Sequence, residues 1–176
     1  MILLYLGKGK GKTSACVGQC VRAHGQGLAV AFGQFLKRAG QAGEQAMLSH
    51  MLGQAFFAGG IGFFRDEAQR PAQRKAAQRV FEWALGQVRP PAECAKPSML
   101  SMLILDEACN ALERGLLLED EMADLCRVCR KANCHLVLSG RTAPEWLVAE
   151  ADLVTRMEEV KHPYHMGVAA QKGIEF

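Results

Sequence analysis

Short apolar runs alternate with amphipathic stretches along most of the chain. Ile2-Leu-Leu-Tyr-Leu6 is too short for a helix and is bounded by glycine, so it reads as a strand buried on both faces. Leu28 to Phe32, Met99 to Leu105 and Cys134 to Leu138 also read as strands, and Asp152 to Met157 as a last one. Between the first two strands, Cys16, Val17, Cys20, Val21 and His24 fall at helical spacing and predict a helix over Thr13 to His24, stopped by Gly25 and Gly27. A helix is expected near Glu44 to Leu52, then a short strand or irregular segment over Ala55 to Phe64. Asp66 to Val88 reads as a long helix with Ala68, Ala72, Ala76, Val80, Trp83 and Ala84 on one face. Arginines lie on the other, and Pro71 sits in the first turns, where it is tolerated. Arg89 to Pro97 is a connection, and Pro144 to Glu150 a short helix. Glu119 to Lys131 runs from acidic to basic, as the helix macrodipole favours. Strands alternating with helices predict a three-layer α/β fold with a mostly parallel central sheet.

Composition narrows the class. The 176 residues suit one domain spanning 1–176, and 49% apolar with 22% charged residues is globular, not disordered. A net charge of +3 does not suit a nucleic-acid coat protein. No apolar run approaches the ~20 residues of a membrane span, and a lysine-rich loop, not a cleavage site, follows the first strand. Neither nucleic acid nor membrane is therefore expected as a partner. Seven cysteines without a secretion signal predict reduced thiols in a cytoplasm. Cys126, Cys129 and Cys134 lack the second pair that a zinc site wants, and His162 and His165 lack a carboxylate-rich run beside them. Both groups read as ordinary structure.

The chemistry concentrates in Gly7-Lys-Gly-Lys-Gly-Lys-Thr-Ser14, between the first strand and the first helix. Glycines there let backbone N–H groups surround phosphate oxygens, and the helix N-terminus adds its positive end. Lys12 would reach the outer phosphates and the Thr13 hydroxyl would take Mg²⁺. The strict P-loop pattern would put its first glycine at Leu6, and the dinucleotide fingerprint would put its third glycine at Lys12. The matching half is Met102-Leu-Ile-Leu-Asp-Glu107, an apolar strand whose terminal Asp106 or Glu107 can hold the metal. The fold expected is thus P-loop NTPase-like, of the RecA-like kind.

Such a loop specifies a triphosphate, not a reaction. No Asn-Lys-x-Asp guanine reader is present. Arg65, Arg70, Arg74, Lys75 and Arg79 suit a kinase lid or a solvated helix face equally, and an ATPase could use Glu107 to activate water. Further segments point elsewhere: Val21-Arg-Ala-His-Gly-Gln-Gly27, Gln34-Phe-Leu-Lys37 with Gly43-Glu44, Leu138-Ser-Gly-Arg-Thr-Ala-Pro-Glu145, Ala151-Asp-Leu-Val-Thr155, and the closing Lys161-His-Pro with Ala170-Gln-Lys-Gly-Ile-Glu-Phe176. In order, over nearly the whole chain, these resemble the ATP:corrinoid adenosyltransferases of cobalamin synthesis and salvage.

The resemblance implies that a reduced Co(I) corrinoid attacks C5′ of ATP, forms a cobalt–carbon bond and expels triphosphate. It implies ATP binding by Gly7, Lys8, Gly9, Lys10, Gly11, Lys12, Thr13, Ser14 and Arg22, with Lys10 and Lys12 stabilising the leaving triphosphate. It implies Mg²⁺ or Mn²⁺ at Thr13, Asp106 and Glu107. Phe63 and Phe64 would lie against the corrinoid and ease its reduction by displacing the lower cobalt ligand. Arg65 stands where the family commonly has tryptophan, and His165 where it usually has an acid. The chain also opens directly at the first strand, without the extension some members carry. A reductant protein such as a flavodoxin and a homodimer are the implied partners. The alternative function is a P-loop ATPase or nucleotide-binding regulator.

Overall fold

The computed structural model describes residues 1–62, 66–89 and 100–175. Its strands are β1 (Ile2–Leu6), β2 (Val30–Gln34), β3 (Phe56–Ala58), β4 (Met102–Asp106), β5 (His135–Ser139) and β6 (Leu153–Arg156). Its helices are α1 (Lys12–Gly25), α2 (Gly43–Leu52), α3 (Arg70–Val88), α4 (Ala108–Glu113), α5 (Glu119–Lys131) and α6 (Glu145–Glu150). The strands form one sheet in the order β3-β2-β4-β5-β1-β6, and every pairing is parallel. The sheet is therefore wholly parallel, where the sequence led us to expect mostly parallel.

Side chains alternate across this sheet and build a core on each face. On β4, Met102 and Ile104 join Cys16 and Cys20 of α1 and Leu48 of α2 on one side. Leu103 and Leu105 join Ala77, Val80 and Ala84 of α3 and Leu125 of α5 on the other. Ile2, Leu4 and Leu6 of β1 face that second, larger core. Close approach decides one position. A Cβ at Gly33 would come within 2.8 Å of Leu105 Cδ2 and 2.9 Å of Trp83, so a bare backbone there lets the indole lie against the sheet.

Several expectations shift. β2 begins and ends two residues later than expected, and β4 and β5 end one residue later, because polar Gln34, Asp106 and Ser139 are buried inside the strands. Ser101 and Met102 both donate to the Ala29 carbonyl, which marks where the β2–β4 ladder starts. The buried face of α1 is Cys16, Cys20 and Ala23, while Val21 is 53% exposed and His24 points to solvent. The long helix starts at Arg70, behind a 3₁₀ turn over Glu67–Gln69 whose Asp66 carboxylate accepts from the Ala68 amide at 3.1 Å. Ala68 and Ala72 are consequently exposed. Helix α4 was not anticipated.

Cys126 and Cys129 point into the core from α5 beside Cys134. Burial pushes the Cys109 thiol up to about 12 and the Cys20 and Cys126 thiols up to about 11, so all three are neutral at pH 7.

Candidate active site

Parallel strands place their C-terminal ends along one edge of the sheet, and the phosphate loop leaves β1 at that edge. The loop is pressed against the chain just past β6. Gly7 has φ 117°, and a Cβ there would lie 2.1 Å from the Met157 carbonyl oxygen. A Cβ at Gly9 would come within 2.7 Å of the Glu158 backbone. Only glycine fits at both positions. The Gly7 amide donates to the Arg141 carbonyl at 3.0 Å and the Gly9 amide to the Met157 carbonyl at 2.9 Å.

The loop opens onto a cleft of about 870 Å³. Lys8, Lys10, Lys12, Lys37, Arg114 and Arg141 line it with Glu44, Glu107, Glu113 and Glu175, an excess of cations that suits a polyphosphate. Lys12 Nζ donates to the Gly9 carbonyl at 2.6 Å, within its own loop. Burial, then the neighbouring Arg141, holds its pKa below the ordinary lysine value. Lys10 reaches the C-terminal segment instead, donating to the Ile174 carbonyl at 2.8 Å and pairing with Glu175 at 2.5 Å. Thr13 and Ser14 line the cleft from the start of α1. Gly7 is buried behind it. Arg22 is not brought in: it sits in the last turn of α1, about 15 Å of helix beyond Lys12, on the side of Tyr5.

Asp106 is the centre of the polar network. It ends β4, is 0% exposed, and lies opposite Gln34 of β2 in the sheet register. Ser139 donates to its Oδ1 at 2.7 Å, Thr13 to its Oδ2 at 3.0 Å, and Gln34 to Oδ2 at 3.3 Å. The Lys37 ammonium lies 3.1 Å from Oδ2, 3.0 Å from Glu44 and 2.9 Å from Thr13 Oγ1. Burial works against that ammonium, yet Asp106 and Glu44 together raise its pKa above the ordinary lysine value. Gln45 closes the network by donating to Gln34 Oε1 at 2.8 Å.

Glu107 follows at φ 62°, its amide donating to Ser139 Oγ at 2.8 Å. Among the described residues, its Oε2 is the buried side-chain polar atom without a partner. Thr13, Asp106 and Glu107 offer only hard oxygens, and this orphaned carboxylate oxygen is what a divalent cation or its water would satisfy. The donor set fits Mg²⁺ or Mn²⁺.

Burial, then the Asp106 charge, pushes the Glu107 carboxyl up to about 7. The folded protein therefore keeps a proton that the unfolded chain, titrating near 4.5, has released. This group costs nothing below about pH 4.5, and stability falls as pH rises from there to about 7. Glu107→Gln should remove that slope, gaining ~1–3 kcal/mol relative to wild type between pH 5 and pH 8. Melts of nucleotide-free protein at both pH values check this, and a variant-to-wild-type difference unchanged with pH would contradict it.

Phe63 and Phe64, expected at the corrinoid, and Arg65 lie outside the described residues. Gly62 before them is fastened beside the cleft. Its amide donates to the Leu36 carbonyl at 2.8 Å and its carbonyl accepts from Gln73 at 3.0 Å. Leu36 itself lines the cleft, as does His162. His165 pairs with Glu159 at 2.5 Å.

Lys37, Glu44, Gln34, Ser139 and Arg141 had no assigned role from the sequence. A signal existed, since Gln34, Asp106 and Ser139 are polar residues closing three largely apolar strands at one sheet edge.

The family described as ATP:corrinoid adenosyltransferase BtuR/CobO/CobP matches residues 1–176. The chain belongs to that family. A corrinoid adenosyltransferase of Sinorhizobium sp is 34% identical over 178 residues, covering 100% of this chain and 80% of that protein. One from Pseudomonas aeruginosa is also 34% identical, covering 100% and 83%. Corrinoid adenosyltransferase CobA of Salmonella typhimurium is 29% identical, covering 100% and 85%. Among solved structures, a KaiC-like protein from Pyrococcus horikoshii superposes with a TM-score of 0.53 at 15% identity, over 92% of this chain and 74% of that one. That likeness concerns the fold, which is of the P-loop, RecA-like kind. As an ATP:corrinoid adenosyltransferase the chain is an enzyme, and none of these likenesses favours the ATPase or regulator reading.

Proposed function

We propose that the cleft at the C-terminal edge of the sheet binds ATP and transfers its 5′-deoxyadenosyl group to the cobalt of a Co(I) corrinoid, releasing triphosphate. The observation that carries this reading is the convergence in one cleft of the glycine loop, the excess of cations and the Thr13–Asp106 pair, in a chain of this family.

Cobalt of the corrinoid substrate supplies the electron pair that becomes the cobalt–carbon bond, the C5′–oxygen bond breaks, and the pair of that broken bond leaves on triphosphate. No side chain needs to take a proton from the nucleophile. The protein's task is to place C5′ in line with cobalt and to stabilise charge gathering on the leaving group. Lys12 is the loop cation nearest to doing so. It trades the Gly9 carbonyl for phosphate oxygens, and Lys8 stands free at the rim. Lys10 must first leave Glu175. Gly7, Gly9, Gly11, Thr13 and Ser14 form the backbone cradle. Arg22 needs a route to ATP that does not run through this cleft. Thr13, Asp106 and Glu107 hold Mg²⁺ or Mn²⁺, which when bound neutralises phosphate charge.

Phe63 and Phe64 are assigned to the lower face of the corrinoid. A reductant protein such as a flavodoxin, a second copy of the chain and a cytoplasmic setting complete the proposal. No helix among the described residues is long and apolar enough to cross a membrane.

The test is an anaerobic assay with ATP, Mg²⁺ and chemically reduced cobalamin. The expected products are a light-sensitive alkylcobalamin and triphosphate, with none formed in excess EDTA. ADP and phosphate would instead establish hydrolysis. Full activity in EDTA would remove the metal. Phe63→Ala and Phe64→Ala should lose more activity when the assay starts from Co(II) than from Co(I), and equal losses would reassign them to packing.

A further inference from the structure

The Lys37 ammonium sits between two oxygens assigned above to the metal. It is 2.9 Å from Thr13 Oγ1 and 3.1 Å from Asp106 Oδ2, with its third acceptor, Glu44 Oε1, at 3.0 Å. We propose that Lys37 is the resident cation of this site: in the nucleotide-free protein it fills the position a divalent ion would take, so that metal enters only together with the nucleotide, and Lys37 then turns on its Glu44 tether toward the phosphates. The proposal rests on Thr13 and Asp106 being the oxygens that hold the metal.

Three features of the structure support it. Asp106 is fully buried, and a buried carboxylate is stabilised by a cation beside it in addition to the neutral donors it accepts from. Lys37 is that cation. Its backbone is also aimed by a strained turn. Leu36 takes φ 60°, a region that branched residues avoid, and the Lys37 amide closes onto the Phe35 carbonyl at 2.6 Å. The turn is held from outside: a Cβ at Gly60 would lie 2.2 Å from the Leu36 backbone, and the Gly62 amide donates to the Leu36 carbonyl at 2.8 Å. A strained turn held this firmly suits a side chain whose position matters.

The third feature is the exit. Lys37 keeps 20% of its side chain exposed and lines the same cleft as the loop lysines, whereas Asp106 has no exposure. Its flexible stem can rotate the ammonium out of the Thr13–Asp106 gap without breaking the Glu44 contact. It cannot stay there beside a divalent ion. Like charges about 3 Å apart repel strongly even when partly screened. Lys37 therefore acts as a positioning residue at Thr13 and Asp106, and faces the triphosphate only after it has moved.

The experiment is a Mn²⁺ titration followed by the electron paramagnetic resonance signal of the free ion, with and without a non-hydrolysable ATP analogue. Wild type should bind Mn²⁺ weakly alone and tightly with the analogue. Lys37→Met, and Lys37→Gln as a second variant if the first does not fold by circular dichroism, should bind Mn²⁺ alone about tenfold tighter or more. Nucleotide-free affinity within about twofold of wild type in the variants would overturn the proposal, as would wild type binding Mn²⁺ equally with and without the analogue. Absence of Mn²⁺ binding even with the analogue would instead remove Thr13 and Asp106 from the metal. Adenosyl transfer is read from its own products and stands or falls separately.

Discussion

Lys12→Ala should reduce adenosyl transfer by about a hundredfold or more, the usual loss when a donor to developing negative charge is removed. The leaving triphosphate gains a full charge as the C5′–oxygen bond breaks, so a cation that meets it there acts on the rate more than on binding. Among the described residues Lys12 makes its hydrogen bond to the Gly9 carbonyl of its own loop, from a position on the wall of the cleft. Its removal leaves that carbonyl at a cleft open to water, so stability should change by less than about 1 kcal/mol. Steady-state rates measured alongside thermal melts separate the two effects. Activity above about a tenth of wild type would take Lys12 out of the reaction.

Asp106→Ala should be costly to the fold as well as to the reaction. The fully buried carboxylate accepts from Ser139, Thr13 and Gln34 and pairs with Lys37. Breaking a buried charge pair from one side typically costs ~3–5 kcal/mol, and because Lys37 keeps Glu44 and some solvent the loss here should fall at the lower end or just below, ~2–3 kcal/mol. The buried Ser139 hydroxyl loses its acceptor as well, whereas Gln34 keeps Glu44. Urea denaturation of nucleotide-free protein at pH 7 should show a loss of that order. Asp106→Asn keeps the shape and one acceptor oxygen, so it should lose less stability while still abolishing metal-dependent turnover. A loss under ~1 kcal/mol for the alanine variant would mean that the network does not hold the strand ends together.

The sheet was legible because strands buried on both faces read as unbroken apolar runs, and β1 was located to the residue. The errors fell where function interrupts that rule. Gln34, Asp106 and Ser139 are polar and lie inside strands, so a reading based on apolarity started or stopped too early there. Helix α4 escaped notice for another reason. It has six residues, begins straight after a left-handed Glu107, and offers too few positions for a period to emerge. At the site, the loop and Asp106 were legible because one contiguous segment carries each. Lys37 was not, since its meeting with Asp106 depends on β2 and β4 being neighbours, although β3 and α3 separate them in the chain. The contact between Lys10 and Glu175 spans 165 positions, and no local pattern encodes it.

That last contact bears on how the protein can be handled at the bench. Glu175 and the Ile174 carbonyl grip Lys10 at the mouth of the phosphate loop, so a bulky label carried on residue 174 or 175 would sit beside that loop. Met1 lies at the opposite edge of the parallel sheet, its ammonium 3.1 Å from His135 Nδ1 where β5 starts. A strand of five residues, about 17 Å, separates that end from the loop. A label carried on Met1 itself starts at the edge away from the loop, the better choice for titrations on an immobilised sample.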